Sequence, residues 1–179
     1  MNLALDRDRS LLLVVDVQER LHPAIHDGAR VLEEVLRLVR VARLLGVPVF
    51  ATEHAPQAIG PLLPGVASLT DRIVRKTHFD ACGEAAFLPA LPKERPEILL
   101  CGTEAHVCVL QTALGLRAAG RRVRVARDAI GSRRPASVVA ALDRMDHHGI
   151  EAVTVEMAAF EWTRDAADPR FKDVLRLVK

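Results

Sequence analysis

The chain has 179 residues, 50% of them hydrophobic and 27% charged, which suits one domain with a single core and falls short of two. Its 25 Lys and Arg against 23 Asp and Glu leave a formal net charge of +2, too small to mark a nucleic-acid partner, and no apolar run approaches the roughly 18 residues that a membrane-spanning helix needs. Three cysteines without C-x-x-C spacing argue against a disulfide framework, and the mixed acids and bases of Met1 to Arg9 do not lay out a signal peptide, so a cytoplasmic protein is expected.

Strand-like apolar runs fall at 10–16, 47–52, 71–75, 97–101, 122–127 and 151–155. The first, Leu11 to Val15, runs straight into Asp16. Between it and the second, Val31, Val35, Leu38, Val39, Ala42 and Leu45 recur near helical period and stop at Gly46 before Pro48, which predicts a helix. The stretch from Ala55 to Leu69 carries Pro56, Gly60, Pro61, Pro64 and Gly65 and reads as a loop near the site. The third run, with Ile73 and Val74, leads into Lys76, and Cys82 falls in a short helix after Asp80. The fourth run closes at Gly102. Crossover helices then span Val107 to Ala119 and Ala136 to His148, each stopped by a glycine. Near-continuous apolar strands imply burial on both faces, hence an α/β fold: a doubly wound, Rossmann-like, six-stranded parallel sheet with helices on both sides, one domain over 1–179. Phe160, Trp162, Phe171, Val174, Leu175 and Val178 then need cover, from a second copy in a homo-oligomer or from docking of the last helix on the sheet.

In a parallel sheet the strand ends lie side by side, so Asp16, Lys76 and Cys108, which stands six positions after Gly102, converge at the carboxyl edge. An acid, a cation and a thiol are the minimum parts for nucleophilic catalysis by cysteine. Each residue alone has a duller use: Cys108 as a small buried hydrophobe like Cys101, Asp16 as a turn cap, Lys76 as a solvated strand end. Gln18 can bond a substrate or satisfy loop backbone. Phe79 can wall the pocket or pack in the core, and His106 can donate to substrate or cover a helix start.

Three segments carry a resemblance: Leu13-Val14-Val15-Asp16-Val17-Gln18, Lys76-Thr77-His78-Phe79, and Gly102-Thr103-Glu104-Ala105-His106-Val107-Cys108-Val109. Over nearly its whole length the chain resembles the isochorismatase-like cysteine hydrolases. With Thr52-Glu53-His54, Ile59-Gly60-Pro61 and Asp168 to Lys172, it is most similar to the isochorismatase domain-containing proteins, whose substrate the resemblance does not specify. The resemblance implies a six-stranded parallel sheet, Asp16 as general base, Lys76 as orienting cation and Cys108 as nucleophile. It also implies a cis peptide between Thr103 and Glu104 and an oxyanion hole made by the N–H groups of Glu104 and Cys108. Asp16 would take the thiol proton and return it to a leaving amine, while Lys76 and the helix start favour thiolate. Hydrolysis of a small amide C–N bond through a thioester follows.

The nicotinamidase branch of that superfamily binds zinc through an Asp-x-His pair and a further His. Here the matching strand end reads Thr52-Glu53-His54-Ala55-Pro56, and His22, His26 and His78 are scattered, so neither a metal nor another cofactor is expected near Glu53 and His54. Rival readings are vinyl-ether hydrolysis as in true isochorismatases, which do not depend on a cysteine, a non-catalytic binding or scaffold protein, and thiol redox chemistry without a resolving cysteine. A dinucleotide site is disfavoured because no Gly-x-Gly-x-x-Gly follows the first strand. The expected partner is a small planar amide, anionic if Arg127, Arg133 and Arg134 flank the pocket.

Overall fold

The apolar runs build a six-stranded, all-parallel sheet in the computed structural model, which describes residues 3–179. Met1 and Asn2, the start of the segment read for a signal peptide, lie outside the described residues. Strands β1 (Ser10–Val15), β2 (Val49–His54), β3 (Arg72–Lys76), β4 (Glu97–Thr103), β5 (Arg122–Gly131) and β6 (Glu151–Val153) lie in the order β3-β2-β1-β4-β5-β6. The helices are α1 (Gly28–Leu45), the single turns α2 (Pro56–Ile59), α3 (Pro64–Ala67) and α4 (Phe87–Ala90), then α5 (Leu110–Ala118), α6 (Pro135–His147), α7 (Val155–Thr163) and α8 (Phe171–Val178).

Strand alternation sends the residues of β1 to opposite sides of the sheet. Leu12 and Val14 pack with Val35, Leu38 and Val39 of α1 and with Trp162 and Val174, whereas Leu11, Leu13 and Val15 pack with Ala113 and Leu116 of α5 and Ala141 and Met145 of α6. Both faces of the central strands are thereby dry. From β1 the chain first winds outward to β2 and β3, then returns to pair β4 with the other side of β1. That reversal opens a crevice at the carboxyl ends of β1 and β4, where α/β folds bind their ligands.

Burial on both faces holds for β1, β2 and β4 but not for the edges, where Ile73 of β3 is 41% exposed and Glu151 and Ala152 of β6 face solvent. An edge strand has a neighbour on one side only, and the arginines of β3 blunt it. β4 runs on to Thr103 and β5 to Gly131, with a register break between the Leu100–Val125 and Gly102–Ile130 pairs. The proline-rich stretch contains α2 and α3, and it buries Leu62 and Val66 against the core. Much of the expected C-terminal exposure is absent, because α7 and α8 dock on this chain's own sheet: Trp162 and Val174 are 0% exposed. Phe160 stays 38% exposed, its ring tilted against Phe171. Among the described residues no helix is long and apolar enough to cross a membrane.

Candidate active site

Register sets the strand ends side by side: Val15 pairs with Thr52 on one flank and Gly102 on the other, and His54 pairs with Lys76. Asp16, just past β1, turns at φ 50°, a left-handed conformation that aspartate tolerates better than most residues. Its carboxylate accepts hydrogen bonds from Thr52 Oγ1 at 2.6 Å and from Lys76 Nζ at 2.6 Å. Both side chains of this ion pair are 0% exposed. Lys76 also donates to the carbonyls of His78 and Phe79, at 3.3 and 3.5 Å. A buried ion pair persists only when hydrogen bonds satisfy its remaining groups, and here they do.

Gly102, at φ 114°, has no substitute: a Cβ there would lie 2.1 Å from the carbonyl oxygen of Val15. The next peptide bond but one, Thr103–Glu104, is cis, and Thr103 Oγ1 donates to the Asp16 carbonyl at 2.8 Å. The chain then winds into a π-turn over Ala105–Val109 before α5, a widened turn found often at functional sites. Cys108 sits in that turn, 6% exposed. Glu104 is anchored from outside, its carboxylate accepting from Arg133 Nε at 2.9 Å.

The thiol does not rest as the thiolate that the neighbouring cation led us to expect. Burial foremost, then the charge of Asp16, push Cys108 up to about 12, and the opposing pull of Lys76 is too weak to reverse them. Desolvation disfavours the charged form, so attack requires proton transfer as the bond forms. Cys101 is fully buried and Cys82 is pushed up to about 12 by burial and then Asp80, which leaves neither activated.

Of the two uses open to Gln18, the hydrogen bonds match the loop one. Its side-chain nitrogen donates to the carbonyls of His54 and Gly60, and its oxygen accepts from the His54 N–H at 2.8 Å. Both N–H groups of the amide are thereby taken, and Gln18 is 0% exposed. Phe79 is 51% exposed, outside the core, and stacks on the His54 ring with centroids 5.2 Å apart. His106 is half-buried, with Nδ1 3.0 Å from Ser132 Oγ.

His54 is the residue that sequence reading passed over as a site group. One ligand-type atom from each of Asp16, His54 and Cys108 lies within 4.8 Å of the others, so three such groups do gather where no metal was expected. Strand alternation puts Thr52 and His54, two apart on β2, on the same side, but which side that is appears only in the fold, where Thr52 bonds Asp16. The set is still poorly suited to a divalent cation, since the buried Lys76 ammonium already neutralises Asp16.

Two cavities flank the thiol's end of the sheet. One of about 440 Å³ lies along Ala55, Gln57, Lys76 and Glu84, and one of about 410 Å³ lies between His106, Arg133, Arg134 and Ser137. Arg127 is exposed elsewhere and lines neither. A larger cavity, about 540 Å³, is at the amino edge of β4 and β5 beside Glu97 and Arg124, so its size says nothing about the thiol.

The isochorismatase domain family matches residues 10–157. The chain is 35% identical over 178 residues to isochorismatase domain-containing protein 2 of Rattus norvegicus, covering 96% of this chain and 82% of the rat protein. Its fold superposes with a TM-score of 0.92 on the MAR1 ribonuclease of Caenorhabditis elegans, at 30% identity over 98% of this chain and 92% of the worm protein. With a TM-score of 0.89 and 24% identity, it also matches the YcaC gene product of Escherichia coli, an octameric hydrolase of unknown specificity, over 99% and 96% of the two chains.

Proposed function

Because the chain belongs to the isochorismatase domain family, we propose that it is a cysteine-dependent hydrolase of a small amide C–N bond, working through a thioester on Cys108. One observation carries the reading: a fully buried Asp16–Lys76 pair within reach of a protonated, nearly buried thiol. Asp16 takes the thiol proton as Sγ attacks the carbonyl carbon, and Lys76, 2.6 Å from its carboxylate, orients it. The N–H groups of Glu104 and Cys108 meet the developing oxyanion, where one donor is commonly worth about 3 kcal/mol. Arg134, beside His106 in its cavity, supports an anionic group on the substrate.

We read the enzyme as cytoplasmic, as free of metal, and as a homo-oligomer, the last supported by the octameric E. coli relative and by exposed Met157 and Phe160. A ribonuclease activity is disfavoured, since Cys108, 6% exposed, is hard for a polymer backbone to reach. Vinyl-ether hydrolysis is disfavoured by the presence of Cys108 itself.

Ammonia release from a panel of small amides, ureido compounds and imides tests the proposal. Cys108→Ala should lower turnover by about a thousandfold or more with the fold intact, because only a small volume is lost. Cys82→Ala and Cys101→Ala should stay active, and chelators should change nothing. Near-wild-type turnover by folded Cys108→Ala would sink the covalent mechanism.

A further inference from the structure

Both carboxylate oxygens of Asp16 are engaged, one by Thr52 and one by Lys76, and Lys76 has no donor to spare after His78 and Phe79. His54 differs. Its Nδ1 is buried and meets no hydrogen-bond partner among the described residues. An orphaned buried polar atom carries a desolvation cost of about 1–3 kcal/mol, which a native site retains when a ligand supplies the missing partner. The ring is held for such a purpose: Phe79 stacks on one face, and the Gln18 amide bonds the backbone of His54 on both its N–H and its carbonyl. Within 4.8 Å of one of its ring nitrogens lie a carboxylate oxygen of Asp16, from the end of β1, and Sγ of Cys108, from the π-turn, and β3 sets Lys76 in register with His54.

Building on the covalent reading above, we propose that His54 is a catalytic proton donor that protonates the leaving nitrogen of the substrate. In acylation the Cys108 Sγ–carbon bond forms and the C–N bond breaks; the thiol proton goes to the Asp16 carboxylate, and the amine departs with a proton of His54, which passes from imidazolium to neutral imidazole. In deacylation water adds its hydroxyl to the acyl carbon and gives its other proton to His54. The sulfur leaves and recovers its proton from Asp16. Each residue ends as it began, and the sum is amide plus water giving acid plus amine. Imidazole suits the task because it gives and takes protons near neutral pH. Asp16, tied to Thr52 and Lys76, is thereby spared from travelling between sulfur and nitrogen.

Two reagents of similar size separate this role from simple packing. Acrylamide adds Sγ to its terminal carbon and must gain a proton at the neighbouring carbon, whereas iodoacetamide loses iodide and needs none. Both are measured on the full chain, with the adduct mapped to Cys108 by mass spectrometry. In His54→Asn, which keeps a hydrogen-bonding atom near the Nδ1 position, acrylamide addition should slow at least about tenfold while iodoacetamide alkylation changes by less than about twofold. His54→Gln should show the same selectivity. Equal slowing with both reagents, or unchanged rates with both, overturns the proposal. Ammonia release by the wild type reports separately on the hydrolase, so selective loss without amide turnover upholds the proton donor and rejects the amide substrate.

Discussion

Asp16 has opposite effects on Cys108: its charge raises the thiol, yet it is the base in the proposed reaction. The two effects separate in Asp16→Asn. Losing the carboxylate should let the thiol ionise at a pH lower by about one unit or more, while amide turnover falls about a hundredfold or more. The iodoacetamide rate at Cys108 against pH, set beside ammonia release, checks both. An unmoved or raised profile would mean that the carboxylate does not act on the thiol. Asp16, Lys76 and Cys108 were legible in the sequence because each follows an apolar strand and stands in a motif. The protonated state of the thiol was not legible, since it depends on how much water reaches the sulfur and on the balance between a carboxylate and an ammonium. His54 was obscured in a different way: it invited a question about metal ligands, and only the register of β2 against β1 and β3 brings it beside the thiol.

At the scale of elements, α7 and α8 close one face of the sheet with side chains that the sequence left without a place. Trp162 is wholly buried, and its indole N–H donates to Ser10 Oγ at 3.0 Å, tying α7 to the start of β1. Trp162→Ala should therefore cost about 3–5 kcal/mol, through the cavity and the stranded serine hydroxyl, as read from the urea midpoint at unchanged slope. A cost below about 1 kcal/mol would mean that α7 is only loosely docked. The proline-rich stretch between β2 and β3 follows similar logic. Prolines and glycines forbid a long helix there, yet Leu62 and Val66 are buried, and the amide of Gln18 pins the stretch at His54 and Gly60. Composition identified a loop; the contacts make it a wall of the site.

At the scale of the whole molecule, segments far apart in the chain meet. Arg7 and Arg170 both reach the Asp168 carboxylate, at 2.7 and 2.8 Å, so the segment before β1 is clasped to the segment before α8. With Trp162 and Val174 used inside the chain, the apolar surface left for a second copy shrinks to residues such as Phe160, Met157 and Val139. Light scattering at micromolar concentration should still give more than one chain per particle, and Phe160→Asp should weaken the assembly by placing a charge in an apolar contact. Wild-type protein that is monomeric would remove the oligomer from the proposal. The sequence alone determined the strand–helix alternation, the direction of the sheet and the placing of Asp16, Lys76 and Cys108 at or after apolar strands, because hydrophobic period and glycine stops are local properties that survive in any compact arrangement of these elements. Tertiary structure alone decided which strands lie at the edges, where the last helices dock, the protonation of Cys108 and the place of His54. These follow from strand order, register and exclusion of water, which join residues dozens of positions apart and leave no periodic trace in the chain.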